Sequence, residues 1–432
     1  MTNKNVAIIH STIECIDGVS FEIKKWANVL KKLDYNIHYI TGKIGGGVEE
    51  PYLLDERLFF KDPSVRRLKR ESFVHKLTNE EKKRLKKEII GMAQPIKKEI
   101  KKFIKENNIS TLIVENVLSL PLNLQFAWAV TDVIDELKLS CLIRHHDPFW
   151  YRKYFSRRQN NIPDIMERCF PPKLPNIVHV GINSAITQSL KKRGFDSVYM
   201  PNVVDFRNIQ KIDDYNKDFR QNIGLKKDQL FFLQPTRLMK RKGIENSLKL
   251  IYFLRERIGK DIVLGITGPP VYKRASYFRK IKQMAKDLNI TLFLMDNKIM
   301  YQRHMVEGEK IYSIGDAYIH ADMVTFPSLL EGFGNPVVEA CAYKKPLFVN
   351  KYEVLKKDFL PLGFDFITID GDISNETIKE AFEVLSFEDK RKKMVEKNYK
   401  IAKANFSSSR LNKKLKEMME LSVKNKIKNN KK

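Results

Sequence analysis

The stretch Phe326-Pro327-Ser328-Leu329-Leu330-Glu331-Gly332-Phe333-Gly334-Asn335-Pro336-Val337-Val338-Glu339-Ala340 sets two carboxylates eight residues apart around a glycine-rich turn. The largely apolar run 321–326 predicts a buried strand, which Pro327 and Ser328 close. Gly332, Gly334 and Pro336 predict a tight turn whose bare backbone lets a ligand approach closely. Pro336 predicts a helix start, because a first-turn proline loses no useful N–H. The free amides of such a start draw anions, and Glu331 and Glu339 add acceptors for the hydroxyls of a sugar or ribose. The layout suits a phosphorylated sugar. An ordinary strand–turn–helix connection would use the same Gly and Pro for turn chemistry alone, so the decision rests on partners elsewhere in the chain.

Outward from this stretch, predicted strands alternate with helical segments. Residues 6–10, a helix over 21–33 and a strand over 35–41 make a βαβ opening, with Trp26 on the apolar face of its helix. Further strands are predicted over 111–114, 140–144, 177–180 and 197–200. A second series covers 229–234, 262–267, 290–295, 323–326 and 346–349. Residues 78–106 read as a charged amphipathic stretch, with Leu85, Ile89, Met92, Ile96, Ile100 and Phe103 toward a core and interruptions near Gly91 and Pro95. Gly45-Gly46-Gly47 reads as a flexible loop and not as a phosphate cradle, since no helix start follows it. Strands alternating with helices argue parallel sheets covered on both faces.

A chain of 432 residues suggests two or three domains. Its four cysteines are scattered without a CxxC or Cys/His pairing, so no zinc site or disulfide framework is indicated and a reducing cytoplasm fits. No uncharged run approaches a membrane span, and residues 1–9 lack a signal-peptide core. The net charge of +27 calls for an acidic partner. Much of the excess sits in 57–105, with 17 Lys/Arg against six Asp/Glu, and in 410–432, with nine against two. These segments offer contact with an anionic membrane surface or a phosphorylated acceptor, or they are solvated helix faces. A nucleic-acid-binding protein is the rival from another class, but no zinc finger, helix-turn-helix string or aromatic RNA-binding signature accompanies the charge, so no nucleic acid is expected.

Gln234-Pro235-Thr236-Arg237-Leu238-Met239-Lys240-Arg241-Lys242-Gly243 follows a predicted strand and places Arg237 and Lys242 in the loop after it. Open α/β sheets bind ligands at strand C-terminal ends, and two cations there suit a diphosphate whose charge grows as a glycosidic bond breaks. Arg144-His145-His146-Asp147 ends another strand, a polar site in the first half of the chain. Asp17-Gly18 lies at the first strand-to-helix turn. Asp370-Gly371-Asp372 has the form of the paired aspartates of metal-dependent transferases but reads as turn chemistry, and no metal is expected.

In these motifs the chain resembles retaining glycosyltransferases of family four, the group 1 glycosyl transferases. The resemblance implies an α/β fold of two Rossmann-like domains whose parallel sheets face a deep cleft, the GT-B architecture. The expected domains are 1–203, joined by a final helix over 405–432, and 204–404. It implies that Glu339 binds the donor ribose, that Glu331 faces the donor sugar, and that amides near Phe333, Gly334, Asn335 and Pro336 reach that sugar. Arg237 and Lys242 would hold the diphosphate and act electrostatically, and His146 would face the sugar near the reacting carbon. Relatives usually carry a Gly pair at the first turn, where only Gly18 stands here, with Asp17 left as an acceptor ligand. His145, Asp147 and Arg144 are further acceptor candidates, with Arg152 and Arg158 close by in sequence. The implied reaction is metal-independent hexosyl transfer with retention, from a UDP-, GDP- or ADP-sugar and with no separate cofactor. The acceptor would be a sugar, a small sugar acid of the glucosylglycerate kind, or a lipid-linked saccharide at the inner membrane surface. A nucleotide-sugar epimerase of related architecture is the alternative within the fold.

Overall fold

The computed structural model describes residues 4–15, 18–156, 160–270, 275–300 and 302–429. It divides into two compact units, Met1–Asn202 with Ser408–Lys432, and Val203–Ser407. Among the described residues no helix is long and apolar enough to cross a membrane.

Unit 1 begins β1 (Asn5–Ile9), α1 (Gly18–Lys31), β2 (Asn36–Thr41), β3 (Tyr52–Leu54), α2 (Pro63–Phe73) and α3 (Asn79–Glu106). It continues β4 (Thr111–Glu115), α4 (Leu124–Glu136), β5 (Ser140–His145), α5 (Lys153–Ser156), α6 (Pro163–Cys169), β6 (Ile177–Gly181), α7 (Ser184–Lys192) and β7 (Ser197–Tyr199). The strands form one parallel sheet in the order β3-β2-β1-β4-β5-β6-β7. Every residue of β4, β5 and β6 is buried, as a sheet covered on both faces requires. The order runs outward from β1 in one direction and from β4 in the other, so the C-terminal ends of β1 and β4 flank the topological switch point, where such sheets take ligands.

Two local expectations change. Residues 79–106 form one unbroken helix that passes through both Gly91 and Pro95. Pro95 lacks the N–H that would bond the Gly91 carbonyl and its ring crowds that carbonyl, a cost of ~3 kcal/mol in a helix interior. Leu85, Ile89, Ile96, Ile100 and Ile104 are buried on one face, each contributing roughly 1.5–3 kcal/mol, so burial outweighs the proline. Thr78 and Glu81 cap its start reciprocally. Four of the basic residues around it are ion-paired across elements or turns: Arg67 with Glu71 and Glu88, Lys86 with Asp164, Lys97 with Asp132 and Glu136, and Lys101 with Glu136. Part of the charge of this segment is therefore ion-paired on the helix surface. The triple-glycine loop is pinned at its start, because Ile13 bridges Ile44 and the Gly45 N–H donates to the Ile13 carbonyl at 2.8 Å. A Cβ at Gly45 would lie 1.9 Å from the Glu14 carbonyl oxygen, which the missing side chain avoids.

Unit 2 comprises α8 (Phe219–Asn222), β8 (Leu230–Leu238), α9 (Ile244–Ile258), β9 (Ile262–Pro270), α10 (Ala275–Asp287), β10 (Leu292–Leu294), β11 (Ile299–Met300), β12 (His304–Val306) and β13 (Glu309–Ser313). It continues with α11 (Ile314–His320), β14 (Met323–Phe326), α12 (Asn335–Ala342), β15 (Leu347–Asn350), β16 (Ile367–Ile369), α13 (Asn375–Ser386) and α14 (Glu388–Phe406). Its main sheet is parallel in the order β10-β9-β8-β14-β15-β16, which places the switch point between β8 and β14. A small sheet, β11-β13-β12, was not foreseen, since strands this short leave little periodicity to read. After Ser407 the chain returns to unit 1 as α15 (Ser408–Asn429), which packs on α1 and β5.

Asp316, in the first turn of α11, ties the small sheet to the body of unit 2. Its buried carboxylate accepts from Gln210 Nε2 and Asn216 Nδ2, each at 2.7 Å, from the Ser313 N–H at 2.8 Å and from Arg303 Nη2 at 2.5 Å. Burial alone would push this carboxyl up, but Arg303, Asn216 and Ser313 hold it below its ordinary value. Asp316→Ala strands these donors, and we expect it to destabilise unit 2 by about 3 kcal/mol. The check is urea unfolding of wild type and variant; an unchanged midpoint would refute this anchoring role.

Candidate active site

In unit 2 the predicted cations meet at the switch point. Arg237 lies within β8 at a bulge opposite Gly268, where any Cβ would fall 2.7 Å from the Arg237 Cα. It is exposed and forms no ion pair among the described residues. Lys242 ends a 3-10 turn (Lys240–Lys242), and its Nζ lies 2.5 Å from Glu331 Oε1 and 5.2 Å from the centre of the Phe326 ring. Arg241 Nη1 reaches the same oxygen at 3.1 Å and the Leu330 carbonyl at 2.9 Å. Burial pushes the Lys242 ammonium below the ordinary lysine value; Glu331 opposes this, while Arg241 and Arg237 push the same way.

Gly243 makes this meeting possible. Its φ is +63°, and a Cβ there would lie 2.1 Å from the Pro327 carbonyl oxygen. The loops after β8 and β14 therefore touch backbone to backbone, and the Leu329 N–H donates to the Arg241 carbonyl at 2.8 Å. Gln234 supports the turn from below, donating to the Lys242 carbonyl at 3.1 Å while accepting from Ser247 Oγ at 2.8 Å.

The carboxylate turn closes the same region. Gly334 adopts φ +108° and caps α12, and a Cβ there would sit 2.1 Å from the Tyr352 hydroxyl oxygen. That hydroxyl donates to the Phe333 carbonyl at 2.8 Å, and the Phe333 ring packs inward on Phe359 and Phe406. The helix opens at Asn335, one residue before Pro336. Glu339, one turn into it, accepts from the Tyr318 hydroxyl at 2.8 Å, and the Tyr318 ring stacks on Tyr343 with centroids 5.1 Å apart. Tyr318 was missed in the sequence because a buried tyrosine resembles core, and Arg241, one more basic residue of the loop, was not singled out from Lys240. The carboxylates of Asp370 and Asp372 pair with Lys356 and Lys249.

Unit 1 builds a second polar cluster at its own switch point. Glu115, the last residue of β4, is fully buried. Its backbone carbonyl accepts from His10 Nδ1 at 2.7 Å, and its Oε2 lies 2.6 Å from His146 Nε2. Arg144 is also fully buried: Nη2 donates to Glu22 Oε2 at 3.1 Å and Asn202 Oδ1 at 2.9 Å, and the guanidinium stacks on Trp26 at 4.4 Å. Its Nη1 lies 3.5 Å from Glu115 Oε1. Burial would raise the Glu115 carboxyl, but Arg144, His146 and His10 hold it below its usual value. Arg144 is therefore a buried counter-ion, not a surface ligand for an acceptor. Asp147 receives the Arg152 guanidinium, whose side chain is 51% exposed. Gly18 opens α1 with nothing within 4 Å of a Cβ position, and Asp17 and Arg158 lie outside the described residues. Glu115 carried a legible signal, a carboxylate ending an apolar strand, and His10, directly after β1, is a second polar residue at a strand end.

His145 takes a structural place. Fully buried, it stacks on His179 at 5.3 Å, with its Nδ1 hydrogen-bonded to Ser119 Oγ at 2.7 Å and its Nε2 to His179 Nδ1 at 3.0 Å. His179 also bonds the Pro172 backbone carbonyl, and burial keeps both rings neutral. Burial pushes both rings down, His145 well below the ordinary histidine value and His179 to about 3. Unfolding lets both rings take protons below about pH 6.5, so their stabilisation is complete above that pH and declines as pH falls toward their folded values. We expect His179→Gln to flatten the fall in stability between pH 7 and pH 5, where each buried neutral histidine costs on the order of 1 kcal/mol per pH unit. Urea unfolding across that range is the check; parallel slopes would refute it.

Comparison with known proteins identifies the family and the fold. Residues 216–401 match the family model described as glycosyl transferases group 1. The chain is 31% identical over 383 residues to the mannosylglucosylglycerate synthase of Petrotoga mobilis, covering 84% of this chain and 86% of that protein. It is 27% identical over 438 residues to the mannosylglucosylglycerate synthase of Thermotoga maritima, covering 94% and 97%. The crystal structure of Anabaena HepE in complex with UDP and glucose shares the fold at a TM-score of 0.67 and 12% identity, over 96% of this chain and 99% of that one. The chain belongs to the group 1 glycosyl transferases, and it is a glycosyltransferase of GT-B fold built from two Rossmann-like domains.

Proposed function

We propose that this enzyme moves a hexosyl group from a nucleotide-diphosphate sugar to a hydroxyl of a small sugar acid, with retention at the anomeric carbon. The observation that carries the donor half is the cation cluster at the β8–β14 switch point. Lys242 and Arg241 share one oxygen of Glu331, and Arg237 stands beside them without an ion pair among the described residues. A diphosphate satisfies such a cluster, and a buried ammonium acts on it more strongly than one in water. Because Oε1 takes both cations, Oε2 of Glu331 is left to accept a sugar hydroxyl. Glu339, steadied by Tyr318, accepts the ribose hydroxyls.

In the proposed step the bond from the anomeric carbon to the diphosphate breaks, and the bond to the acceptor oxygen forms on the same face. The acceptor proton passes to the departing phosphate oxygen, whose charge Arg237 and Lys242 stabilise, and His146 acts on the donor sugar. For the acceptor, support comes from two relatives that bear the name mannosylglucosylglycerate synthase. With Arg144 buried, Arg152 is the described arginine of that loop suited to a carboxylate.

The test is a thermal-shift panel of UDP-, GDP- and ADP-sugars followed by transfer assays from GDP-mannose to glucosylglycerate. A donor at a hundred times its Kd should stabilise the protein by about 2.7 kcal/mol. We expect Glu339→Ala to raise the donor KM about tenfold or more, and Lys242→Ala to lower kcat by roughly 10²–10³. No shift with any donor, or unchanged kinetics in both variants, would sink this reading.

A further inference from the structure

We infer that Glu115 is a positioning residue: its buried carboxylate fixes the proton of His146 on Nε2 and leaves Nδ1 as the ring atom presented for the reaction. This rests on the reading above that His146 acts on the donor sugar. Glu115 lies at the end of β4 and is fully buried, whereas the His146 side chain is 9% exposed. The charges around Glu115 are unevenly shared. Glu22 receives both Arg144 Nη2 at 3.1 Å and Lys25 Nζ at 2.6 Å. Glu115 Oε1 takes no hydrogen bond, since Arg144 Nη1 stands 3.5 Å away and is itself without a hydrogen-bond partner. The one hydrogen bond to this carboxylate among the described residues is therefore that from His146 to Oε2, at 2.6 Å.

That asymmetry has a chemical consequence. An ionised carboxylate can only accept, so Nε2 carries the proton whether the ring is neutral or charged. Nδ1 has no partner among the described residues; it presents a lone pair when the ring is neutral and an N–H when it is charged. Arg144, paired with both carboxylates and stacked on Trp26, keeps Glu115 charged without competing for Oε2. The same residue orients a second ring, because the Glu115 backbone carbonyl accepts from His10 Nδ1 at 2.7 Å. One strand end thus sets two imidazoles at the switch point of unit 1.

Glutamine at 115 keeps the volume but offers either an oxygen or an N–H to Nε2, so the tautomer is no longer imposed. Long-range proton–nitrogen spectra of protein labelled at its eight histidines, with His146→Ala for assignment, read this directly at a pH where the ring is neutral. We expect wild-type His146 to show one tautomer, protonated at Nε2, and Glu115→Gln to show a mixture. With GDP-mannose and glucosylglycerate as probes, kcat should fall about tenfold or more in Glu115→Gln, the scale seen when a histidine loses its orienting carboxylate, with KM little changed. Adding the Glu115 change to His146→Ala should cost nothing further. An unaltered His146 spectrum in Glu115→Gln, or a rate loss that persists in full on the His146→Ala background, overturns the inference. Wild-type kcat in His146→Ala would instead overturn the role given to His146, while the spectra still report on Glu115.

Discussion

The donor set of unit 2 depends on one steric constraint, the approach of Gly243 to the carbonyl of Pro327. Two strands that neighbour each other in the sheet, β8 and β14, leave it at the point where the strand order reverses. Loops at such a point can diverge and leave a crevice, or they can be drawn together. Here they are drawn together because position 243 has no side chain and a left-handed φ. Every contact of the cluster follows from that approach: Leu329 bonds to Arg241, and Glu331 lies within reach of both Arg241 and Lys242. With a Cβ at 243 the loops would part and the glutamate would lose its cations.

The two units apply the same topology to different electrostatics. Unit 2 concentrates cations, held near one carboxylate that offsets only part of their repulsion, and a surplus of this kind favours a bound anion. Unit 1 holds a balanced set, the buried Glu22, Glu115 and Arg144 with the partly exposed Lys25, and places His146 beside them. The first arrangement suits a ligand that arrives charged. The second offers a hydrogen-bonding ring steadied by a buried, charge-compensated carboxylate.

Much of the site could be read from the chain because its chemistry is local. Glu331, Gly334, Pro336 and Glu339 stand within a single turn, and Arg237, Lys242 and Gly243 within another, so their spacing carries their geometry. The histidine loop was legible as a place but not in its detail. Nothing in Arg144-His145-His146 distinguishes the buried counter-ion, the structural ring and the presented ring. Strand alternation separates them: consecutive residues face opposite sides, and what lies on each side belongs to other elements. The long helix misread at Pro95 teaches the same lesson, since a local rule lost to burial contributed by a distant partner.

The two series of alternating strands and helices, and the grouping of Arg237 with Lys242 and of Glu331 with Glu339, were determined by the sequence alone, because each is expressed in periodicity or spacing over a few residues. Tertiary structure decided which charges are paired: Arg144 with Glu22 and Glu115, Lys242 with Glu331, Glu339 with the Tyr318 hydroxyl. Those pairs join residues between 21 and 122 positions apart. Their partners are selected by sheet order and by the absence of a side chain at Gly243, and only the folded chain brings either to bear.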